Sequence, residues 1–170
     1  PQIFQIGLVF NNGVKVLTVN IKDKSLVLKE AIGLEKPLAI IYNYNGFGYG
    51  VFPLDGNNLN TIASLKDEVG RASAYSNLYE NTLIGNIAPG AALECFLKGI
   101  QSEENELVLR IASNNLNTIY WRFFTEKQQN KVQKQLLAIL YDRLQANLSP
   151  NIKKTLFGLF SSVAYSDSGK

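Results

Sequence analysis

The chain has 170 residues, of which 46% are hydrophobic and 18% charged, and its formal net charge is +3. This length suffices for one ordinary domain or two small ones, and the composition predicts a globular protein with a real core. Lysine and arginine are spread along the chain rather than clustered, which argues against a nucleic-acid partner. No apolar run approaches the roughly 20 residues needed to cross a bilayer, which argues against a membrane span.

Three residue counts restrict the chemistry further. The chain has no histidine, so the usual general base at neutral pH and the commonest metal ligand are both missing. Its one cysteine, Cys95, excludes an intrachain disulfide and is interpreted as a small buried hydrophobe, because its neighbours are apolar. There is no methionine, even at position 1, so we expect the chain to be a piece of a longer protein. Nothing in the sequence indicates a compartment.

The first 56 residues are predicted to form strands, because apolar, β-branched and aromatic residues alternate there with polar ones. The clearest pair lies on either side of Asn11-Asn12-Gly13, whose residues tolerate the positive φ of a tight hairpin turn. The fourth run is almost continuously apolar and is predicted to be buried on both faces. Together they suggest part of an antiparallel sandwich. The predicted strands are Ile3–Phe10, Val14–Ile21, Ser25–Lys29, Leu38–Tyr44 and Tyr49–Phe52.

After the polar stretch Asp55-Gly56-Asn57-Asn58, the hydrophobic period changes from about 2 to about 3.6 residues, which predicts helices. Gly85-Asn86 is predicted to end one helix and Ala88-Pro89 to begin the next. Ser102, which precedes acidic residues, is predicted to cap a further helix. The predicted helices are Leu59–Lys66, Gly70–Ile84, Ala88–Gln101, Ser102–Phe124, one starting at Thr125 and one starting at Ser149-Pro150.

These patterns predict an α+β fold, in which a small antiparallel β-sandwich portion precedes an all-α, HEAT-like helical array. The predicted domains are residues 1–56, a β-sandwich domain that we expect to be partial, and residues 57–170, a helical domain. The stripe of the last helix is still apolar where the chain reaches Ser166–Lys170. We therefore expect the helical domain to be truncated and the native chain to continue.

The acidic residues that could carry chemistry all have a simpler structural explanation. The dense cluster Glu103, Glu104 and Glu106 is explained by a helix N-terminus without any bound ion. Glu80 and Glu94 could pair as acid and base, but their neighbours make them ordinary exposed helix positions. Nucleophilic catalysis with a histidine base is excluded, and no motif indicates a Ser–Lys dyad, although serines and lysines are plentiful.

Three other motifs are also interpreted structurally. The aromatic group Tyr120, Trp121, Phe123 and Phe124 could stack a base, but packing at the end of an amphipathic helix explains it better. Asn147-Leu148-Ser149 fits a glycosylation sequon, yet Pro150 follows and indicates a helix start. The run 46–50 lacks GxGxxG spacing and is interpreted as a turn. The sequence predicts no catalytic, cofactor-binding or metal-binding residue.

Two segments together resemble the M1 family of zinc aminopeptidases, the aminopeptidase N group. The first, Pro37–Asp55, resembles the end of that family's β-sandwich domain, where an apolar strand leads through Asn and a Gly-x-Gly-Tyr turn into a short strand. The second resembles the first helices of its C-terminal helical domain. It is carried by Arg71-Ala72, Leu78, Gly85-Asn86-Ile87-Ala88-Pro89, Leu97, Glu103 and Glu104. The closing Gly50-Val51-Phe52 departs from the family, where many members have Tyr and a basic residue.

The resemblance implies that this chain is the non-catalytic C-terminal part of a longer enzyme. In the family, zinc and the motifs H-E-x-x-H and G-x-M-x-N belong to an upstream catalytic domain, and the helical domain helps to enclose the substrate chamber. This chain contains neither motif, so the implied zinc is a cofactor of the full-length enzyme only. The implied partners are the upstream catalytic domain of the same chain and the peptide substrates of the full-length enzyme.

Two other interpretations stay open. A stand-alone α-solenoid scaffold would bind a protein partner in a concave groove, and it predicts a contiguous exposed apolar or aromatic patch. A small independent hydrolase would need a polar pocket with a convergent base, which the sequence does not offer. A zinc-binding motif encoded upstream of Pro1 would separate the aminopeptidase hypothesis from both.

Overall fold

The computed structural model describes residues 1–54 and 56–164, which form an α+β fold. Asp55 and Ser166–Lys170, on which two of the sequence predictions fall, lie outside the described residues. The chain divides into two compact units, and the boundary lies between Ile87 and Ala88. The first unit therefore extends past residue 56 and includes two helices. The elements are β1 (Gln2–Phe10), β2 (Gly13–Ile21), β3 (Ala39–Ile41), α1 (Gly56–Leu59), α2 (Glu68–Leu83), α3 (Pro89–Ser102), α4 (Glu106–Phe123), α5 (Glu126–Gln145) and α6 (Pro150–Ala164).

The hairpin predicted around Asn11-Asn12-Gly13 is confirmed. Strands β1 and β2 pair antiparallel from Gln2 opposite Ile21 to Phe10 opposite Gly13, which leaves Asn11 and Asn12 as a two-residue loop. Strand β3 pairs antiparallel with the other edge of β1, so the sheet order is β2-β1-β3. Alternate side chains of the hairpin share one buried face, where Phe52 joins them in a cluster. The hairpin members of this cluster are Phe4, Ile6, Leu8, Leu17 and Val19.

Two predicted strands are wrong. Residues 25–28 pair with no strand, and the chain then turns through a 3-10 segment, Lys29–Ala31. Leu28 instead packs against the face of the sheet, so the alternating pattern reflects a segment that covers the sheet rather than extends it. The segment Tyr49–Phe52 is not a strand either, because the side-chain amide of Gln2 takes the place of a neighbouring strand. It accepts from the Tyr49 N–H at 2.9 Å and donates to the Tyr49 carbonyl at 3.0 Å.

Two further elements are shorter than predicted. The apolar run 38–44 forms a strand only over Ala39–Ile41, because Asn43 has a φ of 54° and takes the chain into a turn. The first predicted helix divides into α1 and a 3-10 segment, Ile62–Ser64. The hydroxyl groups of Thr61 and Ser64 each donate to the carbonyl three residues earlier, at 2.8 Å in both cases. Such local bonds compete with the regular α-helical pattern.

The later helix boundaries follow the sequence signals, with one correction. Helix α2 ends at Leu83, and Gly85, whose φ is 80°, follows two residues later. Helix α3 has Pro89 in its first turn, and α6 begins at Pro150. Thr125 caps α5 in a capping box with Gln128. The prediction that Ser102 caps α4 is wrong, because Ser102 is the last residue of α3. The cap is Asn105, whose side chain accepts from two N–H groups of the first turn at 3.0 and 3.1 Å.

The second unit is a set of four packed helices. Consecutive helices α3 and α4 are in contact, as are α5 and α6, and further contacts join α3 to α5 and α4 to α6. This arrangement buries one stripe of each helix, as their apolar spacing predicts. The HEAT-like repeat stays a prediction. Fully buried side chains include Phe96, Ile100, Leu109, Leu116, Ile119, Leu136, Leu140 and Leu156. Within the described residues, no helix combines the length and the apolar character that crossing a membrane requires.

Candidate functional site

The acidic residues considered from the sequence lie in structural positions. Glu80 and Glu94 are each exposed, on α2 and α3 respectively. Glu103 is buried in the link between α3 and α4, where its carboxylate accepts from the Asn105 N–H at 2.9 Å and its carbonyl accepts from Arg143 at 2.6 Å. Only Glu106 lies in the first turn of α4, where the helix dipole stabilises negative charge. Glu104 is exposed in the same link, ahead of the cap Asn105. A helix N-terminus therefore explains only Glu106, and the expectation that it explains all three carboxylates is wrong.

The aromatic group at the end of α4 is also divided. Tyr120 is fully buried and meets the ring of Trp121 edge-to-face, with ring centroids 5.1 Å apart. Trp121 is 40% exposed, and its indole N–H donates to the hydroxyl of Ser162 on α6 at 3.1 Å. Phe123 is exposed at the helix end. Only Tyr120 is packed as expected, whereas Trp121 and Phe123 lie at the surface. Phe124, the fourth member, follows the last residue of α4 and is half-buried.

Cys95 is buried, as expected from its apolar neighbours. Burial raises the pKa of its thiol to about 12, although the nearby Lys98 charge acts in the opposite direction. The thiolate is the nucleophilic form of cysteine, and almost none exists at neutral pH with such a pKa. Cys95 is therefore an inert packing group.

The glycine-rich run after β3 forms a closed loop. The side-chain amide of Asn43 accepts from the Gly48 N–H at 2.7 Å and donates to the Gly48 carbonyl at 3.1 Å. Asn45 accepts from the Gln5 N–H of β1 at 3.1 Å, which fastens the loop to the sheet. The loop's polar groups are therefore directed to the protein itself, which agrees with the interpretation of this run as a turn.

Tyr44, within this loop, lies between β1 and α2. A Cβ atom at Gly7 or at Gly70 would lie 2.5 Å from a carbon of its ring, so both glycines are needed for this approach. Burial raises the pKa of Tyr44, and the Asp67 carboxylate raises it further, while Arg71 lowers it. The phenol therefore stays neutral at physiological pH. Tyr44 joins the sheet to the first turn of α2.

Three polar residues of α2 continue this junction, and we call them the asparagine seam: Ser73, Asn77 and Asn81. They are four residues apart, so they lie on one helix face, and all three are buried. Their side chains donate to the carbonyls of Asn43, Tyr42 and Phe52, respectively, the last two at 3.0 and 2.7 Å. Sequence analysis did not identify the seam, because a polar row on an amphipathic helix is normally assigned to solvent.

A second feature that the sequence did not reveal is a groove of about 530 Å³ between α4 and α6. We call it the α4–α6 groove, and its principal lining residues are Arg110, Ser113, Asn114, Lys154, Thr155 and Gly158. At one end, the Glu106 carboxylate accepts from the hydroxyl of Ser149 and the amide of Asn151, both at 2.9 Å. Ser149 lies at the start of α6, where its hydroxyl also accepts from the Ile152 N–H at 3.3 Å. The sequon at 147–149 thus coincides with a helix cap, as expected.

Comparison with protein-family models gives no match for this chain. Comparisons with curated proteins and with solved structures give no match either. Among the described residues, no group of three or more His, Cys, Asp or Glu side chains is arranged to hold a metal ion. Function therefore has to be argued from the residues and geometry of the loop, the seam and the groove.

Proposed function

We propose that this chain is the non-catalytic C-terminal part of a zinc-dependent, M1-type aminopeptidase that removes N-terminal residues from peptides. In this proposal the chain helps to enclose the substrate chamber and supplies no group to the reaction. The zinc would belong to an upstream catalytic domain of the same polypeptide. This chain's own donor set does not fit a zinc centre, since it has no histidine and only one cysteine, which is buried.

The observation that carries the proposal concerns the residues on which the family resemblance rests: several of them occupy positions where few other residue types would fit. Within Pro37–Asp55, Asn43 adopts a positive φ and closes the loop, and Tyr44 fills the space left by two glycines. Arg71 donates to the carbonyls of Leu65 and Lys66, at 2.6 and 2.9 Å. Such roles tolerate few other residue types, so the pattern is less easily matched by chance than an ordinary apolar period.

The link between α2 and α3 adds to this support. The N–H groups of Asn86 and Ile87 both donate to the carbonyl of Asn81, at 2.9 and 3.1 Å, and the Asn86 amide donates to the Asn81 side chain at 3.1 Å. The link therefore folds back onto the seam. Gly85 with its φ of 80° and Pro89 in the first turn of α3 also have defined backbone roles in this link.

The test is an aminopeptidase assay with aminoacyl-arylamide substrates, run on this chain and on the product of the complete open reading frame. We expect the complete product to cleave and to lose activity when a chelator removes zinc, whereas this chain with added zinc stays silent. A silent complete product, or a reading frame without an upstream H-E-x-x-H, would overturn the proposal.

The second candidate function is a scaffold that binds a protein partner on its helices. The specific observation in its favour is the α4–α6 groove, which is open along two helices. Its lining is mostly polar, so it differs from the apolar or aromatic patch that the sequence analysis associated with a scaffold. The scaffold would take precedence if no catalytic domain is encoded upstream. A pull-down with this chain that recovers a partner, and loses it when the groove is filled, would support it.

A further inference from the structure

The α4–α6 groove contains a buried hydroxyl group whose hydrogen-bonding capacity is unused within the described structure. Ser113 is 3% exposed, and its Oγ atom makes no hydrogen bond there. Three other helical hydroxyls, those of Ser76, Thr82 and Thr118, donate to the carbonyl four residues earlier. Buried polar groups in proteins almost always have a partner. Because Ser113 also lines the groove, a ligand bound there is a source of the missing partner.

The charges of the groove define the sign of that ligand. Arg110 lines it from α4 and Lys154 from α6, and neither forms an ion pair with the described residues. Glu106 is the only carboxylate among the lining residues, and its oxygens already accept from Ser149 and Asn151 at one end. The remaining walls offer amide and hydroxyl groups, such as Asn114 and Thr155. A ligand with negative groups and carbonyl oxygens matches this set of donors.

The length of the groove distinguishes an extended chain from a small ion. On α4 it runs from Glu106 to Asn117, which at the helical rise corresponds to about 16 Å. An extended peptide of about five residues covers the same distance. Gly158 keeps the α6 wall low, because a Cβ atom there would meet nothing within 4 Å.

We propose that the α4–α6 groove binds an extended acidic peptide segment. Arg110 and Lys154 pair with two of its carboxylates, and the Ser113 hydroxyl bonds to its backbone between them. The inference concerns this groove alone and does not depend on the aminopeptidase proposal, because no catalytic activity enters its test.

The test is fluorescence polarisation with a peptide of about five glutamates that carries the label at one terminus and a neutral blocking group at the other. A lysine peptide of equal length, labelled in the same way, is the negative probe. We expect the glutamate peptide to bind and the lysine peptide not to. Arg110→Ala and Lys154→Ala should each weaken binding about tenfold, the usual loss for a charged hydrogen bond.

The decisive variant is Gly158→Leu, which adds a bulky side chain and a better helix former at a position that lines the groove. A Cβ atom there would meet nothing within 4 Å. Its matched control is Gly90→Leu, at an exposed glycine of α3 whose Cβ position is also open. We expect Gly158→Leu to abolish binding and Gly90→Leu to change affinity less than twofold. Circular dichroism checks the fold of both.

Three results would overturn the proposal. The first is no binding of the glutamate peptide up to roughly 1 mM, the weak end of peptide recognition. The second is unchanged binding to Gly158→Leu. The third is displacement of the peptide by inorganic phosphate at equal concentration, which would make the groove a small-anion site. None of these three results would change the outcome of the aminopeptidase assay, so the two proposals can fail separately.

Discussion

Helices α2 and α4 have similar lengths, 16 and 18 residues, and both bury apolar side chains, but only α2 also buries a row of polar side chains. Helix α4 buries an apolar stripe against other helices, whereas α2 buries the asparagine seam against the irregular segment that follows β3. The cause is the surface that each helix meets. Neighbouring helices satisfy their own backbone groups, so an apolar stripe is sufficient there. An irregular segment has free carbonyls, and burying them without donors would be costly.

The comparison predicts that the two units respond differently to substitution. In the helical unit, side-chain volume should decide stability. In the sheet unit, hydrogen bonds and close approach at glycine should decide it. Trp121 is the only tryptophan and lies in α4, so its fluorescence follows the helical unit. Hydrogen exchange of the α2 amides follows the sheet unit.

The largest effect is expected from Phe96→Ala, in the apolar core of the helical unit. Phe96 is fully buried, and its truncation leaves a cavity, so the free energy of unfolding should fall by about 3–5 kcal/mol. Denaturant titration followed by Trp121 fluorescence measures it. Leu116→Met, which conserves volume, is the control and should cost less than about 1.5 kcal/mol. Equal losses in both variants would show that volume is not the controlling property.

Asn81→Ala should destabilise the sheet unit by about 1–3 kcal/mol, because the Phe52 carbonyl would lose its donor while staying buried. Exchange of the α2 amides should accelerate accordingly. The matched control is Asn114→Ala at an exposed position of α4, for which a change within about 0.5 kcal/mol is expected. If Asn81→Ala matches this control, the seam is not what holds α2.

Gly70→Ala and Gly158→Ala should change the free energy of unfolding in opposite directions. At Gly70 the new Cβ atom would lie 2.5 Å from the Tyr44 ring, so overpacking should lower the free energy of unfolding by about 1–3 kcal/mol. At Gly158 the position is open, and the higher helix propensity of alanine should stabilise by about 0.5–1 kcal/mol. Thermal unfolding of the two variants measures the difference. A neutral or stabilising Gly70→Ala would contradict the position of Tyr44.

The last prediction concerns the pH dependence of stability. The folded-state pKa of Cys95, about 12, lies above its ordinary value of 9.0, so the folded protein holds this proton more tightly. The resulting stability is fully present below pH 9 and is lost as the pH rises towards 12. Cys95→Ala should therefore flatten the decline in unfolding free energy over this interval. An identical alkaline decline in both proteins would contradict a buried, neutral thiol.

Features set by neighbouring residues could be predicted from the sequence. The two-residue hairpin loop, the proline starts of α3 and α6 and the cap at Thr125 each depend on a few adjacent residues. The α+β class follows from the change of hydrophobic period at about residue 56. The displaced start of α4 shows the limit, because Ser102 and Asn105 are both good caps and only the end of α3 decides between them.

Features set by distant residues could not be predicted. The segment 49–52 has the composition of a strand, but the side chain of Gln2 occupies the N–H and carbonyl of Tyr49, and that of Asn81 occupies the carbonyl of Phe52. The spacing of Asn77 and Asn81 is typical of an exposed polar helix face. Only the three-dimensional structure shows that they bind the carbonyls of Tyr42 and Phe52. The α4–α6 groove joins positions more than 40 residues apart in sequence, such as Arg110 and Lys154. None of these partners has a local signal.

The most direct test of the central claim, that this chain contributes architecture rather than chemistry, uses Asn81→Ala in the complete product. The measurement is kcat/KM at low temperature together with the half-life of activity at elevated temperature. For the Asn81→Ala variant we predict a shorter half-life, with kcat/KM for the aminoacyl-arylamide substrate within about twofold of wild type. For Glu80→Gln, at an exposed position, we predict no change in the half-life or in kcat/KM. A fall in kcat/KM with an unchanged half-life would contradict the claim, because it would place the seam in the reaction itself.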